Sequence, residues 1–200
     1  MMEVSNNILT IVSVSPAAGK SFVSANFSYL QADVGKKVLL IDGDLRKGHL
    51  KDYFKIGKTV GLTEILVGSS TFEEALIHGP CANLDFLATG EYPVNPAELL
   101  MNIRFKELME HVSKLYDLIV IDTPPILAVT DAAIMARYAG ANFLVLASNT
   151  HEPEEIELAL KRFHSNGIAI NGVVFNFQKQ QKGVYRGQTY QYQYEYGTNE

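Results

Sequence analysis

Residues 13–26 read SVSPAAGKSFVSAN. An apolar run, ILTIVSV (8–14), leads into the stretch and reads as a buried strand. Beyond it, Phe22, Val23, Ala25, Asn26, Tyr29 and Leu30 fall within 20–34 at the spacing of a helix laid against a sheet. Gly19-Lys20-Ser21 therefore stands at a strand-to-helix junction, where a phosphate-binding loop is built. The loop backbone at Ala17, Ala18 and Gly19, and the first helical N–H groups at Lys20, Ser21 and Phe22, are expected to face an anionic phosphate chain. Lys20 supplies a point charge for the outer phosphates, and the Ser21 hydroxyl suits Mg²⁺. The generic pattern has a glycine five residues before Gly19, and here that position is Val14.

Working outward, the same alternation recurs along the chain. KVLLID (37–42), NLDFLATG (83–90), YDLIVID (116–122), ANFLVLAS (141–148) and AINGVVFNF (169–177) read as strands. Helical patterns separate several of them. NPAELL opens one, with Asn95 as cap, Pro96 in the first turn and Glu98 at capping-box spacing. Asp131–Tyr138 forms a second, and residues 153–167, with Pro153 at the start, acid in the first turn and Gly167 at the end, form a third. Near-continuous Val/Ile/Leu strands divided by helices predict a mainly parallel sheet with helices on both faces, a three-layer α/β/α P-loop NTPase fold. Ligands of such sheets sit at the carboxyl ends of the strands. Asp42 and Asp44 end one strand and Asp122 ends another, so all three are expected beside the loop, where carboxylates can hold Mg²⁺ or its waters and one can take a proton from an attacking hydroxyl.

Composition narrows the classes. With 47% apolar and 20% charged residues in 200, the chain has enough material for one domain with a real core. A net charge of −5 argues against nucleic acid as the main partner. A single cysteine, Cys81, excludes an internal disulfide framework, and the five scattered histidines show no metal-ligand spacing. No apolar run approaches the roughly 18 residues of a membrane span, and MMEVSNN lacks the form of a signal peptide. The chain is therefore expected to be cytoplasmic. After Phe177 the composition shifts to Gln, Lys, Gly, Tyr and Glu, which divides the chain into a P-loop domain (1–177) and a tail (178–200). The tail holds five of the ten tyrosines: Tyr185, Tyr190, Tyr192, Tyr194 and Tyr196.

SPAAGKS, VLLIDGDLRKG, GLTEILVG, NPAELL, YDLIVIDTPPILAVTDA and NGVVFN, in this order, resemble the cytoplasmic domain of the bacterial tyrosine kinases (BY-kinases) that govern capsule and exopolysaccharide export. The resemblance spans about residues 8 to 200. It implies ATP and Mg²⁺ as cofactors, with Lys20 and Ser21 on the phosphates and Mg²⁺. It further implies that Asp42 is the base or Mg²⁺-organising carboxylate, assisted by Asp44, and that Asp122 is the Walker B aspartate. Arg46 and Lys47 would lie near a subunit boundary where a neighbour's tail docks, and Asn176 would contact the adenine edge. The tail tyrosines would be the phosphoacceptors, modified in trans within a ring-like homo-oligomer. A fused or separate membrane activator would place the domain at the inner face of the cell membrane, and a cognate tyrosine phosphatase would reverse the reaction.

The chain departs from some relatives in carrying His49 where they place a tyrosine after Arg-Lys-Gly. The other readings are a partition- or division-type ATPase switch and a non-catalytic nucleotide-dependent scaffold. The switch proteins usually have a lysine six residues before the loop lysine, where Val14 stands here.

Overall fold

A computed structural model describes residues 6–148 and 150–178. Seven strands form one sheet: β1 (Ile8–Ser13), β2 (Val38–Asp42), β3 (Leu76–Cys81), β4 (Leu84–Leu87), β5 (Leu118–Asp122), β6 (Ala141–Ala147) and β7 (Gly172–Asn176). Their spatial order is β3-β4-β2-β5-β1-β6-β7. Every neighbouring pair is parallel except β3 with β4.

Side chains alternate between the two faces of the sheet, as the period-two geometry of a strand requires. Ile8, Leu39, Ile41, Ile119 and Ile121 enter one core with residues of α3 (Leu62–Val67), α4 (Phe72–Ala75), α5 (Pro96–Met101), α6 (Ile103–Val112) and α7 (Asp131–Ala136). Leu9, Ile11, Val38, Leu40 and Val120 enter another with Ala25 and Ala32 of α1 (Lys20–Asp33) and Leu50 of α2 (Leu50–Tyr53). Val12, Val14, Leu144 and Leu146 meet Ala133 and Ala136 of α7 and Ala159 and Phe163 of α8 (Pro153–Ser165). The first and third of these cores lie on one face of the sheet and the second on the other, so helices cover both faces, as the strand runs implied. Because β2, β5 and β1 are buried on both faces, their sequences carry no polar alternation.

Four local expectations fail. Phe22, Tyr29 and Leu30 do not face the sheet; they are about half exposed, and α1 instead buries Ser21, Ser24, Ala25, Ser28 and Ala32. Small side chains let the helix axis sit close to the sheet, and that stripe has little hydrophobic signal. Asn95 does not cap α5 with its oxygen; its amide nitrogen donates to Glu98 Oε2 at 2.8 Å. The helix then breaks at Asn102, whose side chain accepts from Arg104 N and starts α6. The strand expected at 83–90 ends at Leu87, and the helix expected at 131–138 ends at Ala136. Among the described residues no helix is long and apolar enough to cross a membrane.

Candidate active site

Parallel pairing of β2 with β5 aligns Asp42 with Asp122 at the carboxyl ends of the strands. The chain leaving β1 turns over these residues and re-enters as α1. Val14 continues into the core, fully buried, and its carbonyl accepts from Leu127 N. The backbone turns later, with φ of 62° at Ala17 and 80° at Gly19, so a glycine at position 14 is not required. Gly19 is required. A Cβ there would collide with the Asn176 amide and approach Phe177 Cζ to 3.0 Å, in a left-handed conformation that already disfavours L side chains.

Asp122 is the hub. Its Oδ1 accepts from Lys20 Nζ at 2.7 Å and from Ser24 Oγ at 2.8 Å, and its Oδ2 accepts from Ser21 Oγ at 2.7 Å. All four groups are buried, so the charge-assisted bonds act in a low dielectric. Asp42 lies beside it, 1% exposed, accepting from Leu50 N at 2.9 Å and more weakly from Asp44 N at 3.3 Å. Burial first, and then the charge of Asp122, push the Asp42 carboxyl up from 3.8 to about 7. A second carboxylate beside one lysine leaves negative charge in excess, a donor set suited to a hard divalent cation.

Above the pair opens a cavity of about 680 Å³. Ala17, Ala18, Gly19, Lys20 and Ser21 line one part of it, and Asp44, Arg46, Lys47, His49 and Tyr53 another. Pro124, Pro125 and Val129 add an apolar wall. Asp42 and Asp122 do not line it; Lys20 and Ser21 do, and both bond to Asp122 or its neighbours beneath. Asp44 uses its carboxylate on the backbone, accepting from Arg46 N and Lys47 N at 3.1 and 3.0 Å. Arg46 is paired with buried Asp131 through Nε at 2.8 Å and Nη2 at 3.1 Å, which ties the loop after β2 to α7. Phe22 extends outward and does not line the cavity, so its backbone alone belongs to the loop. The Asn176 amide donates to Ala18 O at 3.0 Å, fastening the end of β7 to the loop. Tyr185, Tyr190, Tyr192, Tyr194 and Tyr196 lie outside the described residues.

Three participants escape a reading of motifs. Ser24 is one helical turn after Lys20, a spacing that could have signalled it. Asp131 opens α7, distant in sequence from Arg46. His151 reaches the loop from beyond β6: its Nδ1 accepts from Ala147 N at 3.2 Å, which leaves Nε2–H to donate to Ser15 Oγ at 3.0 Å.

Comparison with known proteins agrees with this fold. Residues 7–152 match the family model of an AAA domain. The tyrosine-protein kinase Wzc of Salmonella typhimurium is 42% identical over 196 residues, 98% of this chain and 27% of Wzc. The chain thus spans about a quarter of the length of the curated relatives it matches. The kinase domain of the Escherichia coli tyrosine kinase ETK superimposes with a TM-score of 0.86 at 36% identity, covering 95% of this chain and 75% of that domain. The BceF tyrosine kinase domain gives 0.80 at 43% identity, covering 88% and 70%. The chain belongs to the AAA-type P-loop family, in the branch formed by these bacterial tyrosine-kinase domains.

Proposed function

We propose that this domain is an ATP-dependent protein-tyrosine autokinase whose acceptors are the tail tyrosines. The observation that carries it is the buried Lys20–Asp122–Ser21 hub with Asp42 alongside, under a cavity large enough for a nucleotide and an aromatic acceptor. The residues fit the cofactors. Left-handed Ala17 and Gly19 turn the 17–22 backbone around a phosphate, and Lys20, once released from Asp122, carries a cation to it. Ser21, Asp42 and Asp122 offer the oxygens for Mg²⁺ or its waters, and the Asn176 side chain, held on Ala18 O, is assigned to the purine edge by the family resemblance. Bound Mg²⁺ would neutralise the phosphates and the two carboxylates.

The chain's own groups do the rest. Asp42 serves either as the base that takes the tyrosine hydroxyl proton or as a carboxylate that organises Mg²⁺ through its waters. Asp44 shapes the turn that presents Arg46 and Lys47 at the cavity, where a neighbour's tail would dock. Residues 1–177 form the catalytic unit and 178–200 the substrate segment. The tail of one subunit serves the site of its neighbour in a ring, which raises the local concentration of acceptor. A membrane activator, fused or separate, and a tyrosine phosphatase complete the cycle that regulates capsular or exopolysaccharide synthesis and export.

Incubation with ATP and Mg²⁺ followed by intact-mass measurement tests this, with Lys20→Met as control. Successive phosphate additions that map to Tyr185–Tyr196 and vanish in the control are expected. Sustained ADP release without protein-bound phosphate would instead mark a switch ATPase.

A further inference from the structure

β7 is the end of the sheet. It pairs with β6 on one side, and among the described residues no strand pairs with its other edge. Its outward side chains are large and apolar: Val173 is 48% exposed and Phe175 is 62% exposed. An edge strand that shows both free backbone groups and an apolar face is a template for a further strand. Natural edges are usually blunted by charge, proline or a bulge, and GVVFN has none of these.

The chain itself holds a segment of matching form. It leaves β7 through Phe177, whose φ of 56° turns the backbone. Residues 189–196 then read TYQYQYEY, in which Tyr190, Tyr192, Tyr194 and Tyr196 alternate with polar residues. On a strand this pattern places four aromatic rings on one face and Thr, Gln and Glu on the other. β7 spans about 17 Å, and residues 179–189 can extend to roughly 36 Å, so the connection is long enough to reverse and lay Tyr190–Tyr196 antiparallel to β7. Residues 1–5, MMEVS, carry no such alternation.

We infer that the free edge of β7 is the docking strand for this chain's own Tyr190–Tyr196 segment, which adds to the sheet with its tyrosines over Val173 and Phe175. Aromatic rings opposite a β-branched and an aromatic side chain are favourable cross-strand pairs. Backbone pairing gives affinity and the alternating side chains give selectivity, as in other strand additions. Resting on the reading of these tyrosines as phosphoacceptors, the berth is sensitive to the reaction. Each phosphate brings about −1.5 to −2 charges onto a strand, GVVFN, that itself carries no lysine or arginine. The unmodified tail is stored on β7, and the modified tail is expelled from it.

Amide hydrogen exchange of the full chain tests this without requiring activity. The Lys20→Met chain is compared with Lys20→Met carrying Tyr190→Ser, Tyr192→Ser, Tyr194→Ser and Tyr196→Ser. Exchange within Gly172–Asn176 is expected to be at least tenfold faster in the serine variant, with β1 and β5 unchanged. Equal rates would overturn the proposal. Protection that disappears on tenfold dilution would also overturn it, since a second copy would then be the occupant. A peptide of residues 178–200 added to the serine variant should restore protection when unmodified and fail when phosphorylated at Tyr190 and Tyr194. Equal protection by both peptides would refute the phosphate sensitivity. None of these outcomes depends on whether the wild-type chain phosphorylates itself.

Discussion

Asp42 is held where a carboxylate is poorly solvated and faces another carboxylate, and this has a thermodynamic consequence. Between 3.8 and about 7 the folded chain keeps a proton on Asp42 that the unfolded chain has released. The folded state binds more protons there, so the Asp42 contribution to unfolding free energy falls as pH rises through that window and is flat above it. Asp42→Asn removes this slope while keeping an acceptor for Leu50 N. Urea titrations in Mg²⁺-free buffer should show a gain of roughly 2–4 kcal/mol over the parent at pH 8 and little at pH 4, with tail phosphorylation lost. Arg46 gives the opposite case. Its removal leaves Asp131, which is fully buried, without its bidentate partner. Arg46→Ala should cost about 1–3 kcal/mol by urea denaturation, since the guanidinium is 41% exposed and water can replace it at Asp131, and Arg46→Lys should recover little, because an ammonium cannot reproduce the two-pronged geometry. Lys20 and Ser21 were legible in the sequence because they follow Gly19 at a strand-to-helix junction, and Asp42 and Asp122 because each ends an apolar run. Ser24, Asp131 and His151 were not. Serine, aspartate and histidine are common outside sites, and only the folded chain brings position 131 to 46 or 151 to 15.

At the scale of elements, the strands were legible and the helix faces less so. A strand buried on both sides is a run of Val, Ile and Leu that few other structures explain. Helix α1 misleads because its buried stripe is Ser21, Ser24, Ala25, Ser28 and Ala32, while its large apolar residues face outward. Two serines of that stripe should behave oppositely. Ser24 Oγ donates to Asp122 and lies 3.1 Å from Lys20 O, whereas Ser28 Oγ is buried with no partner among the described residues. Ser24→Ala is expected to cost about 1.5–3 kcal/mol, and Ser28→Ala to be neutral or stabilising by up to ~1 kcal/mol. Thermal unfolding of the two variants side by side checks the pair. The edge strand β3 escaped notice because LIHGPC carries a glycine and a proline and pairs antiparallel with an irregular register.

For the whole molecule, the layered architecture follows from the strand runs, but the strand order does not. Placing β5 between β2 and β1 brings Asp122 next to Asp42 and under Lys20, and that single topological fact assembles the site. The site then needs an acceptor, and the five tail tyrosines are the richest supply in the chain. The most direct test mixes two chains with ATP and Mg²⁺. One carries Lys20→Met and an intact tail; the other keeps Lys20 but has Tyr185, Tyr190, Tyr192, Tyr194 and Tyr196 replaced by Phe. Intact-mass measurement reads each chain separately. Phosphate on the Lys20→Met chain, at its tail tyrosines, is the predicted result. ATP consumed with neither chain modified would contradict the assignment of this site as a tyrosine kinase acting between subunits.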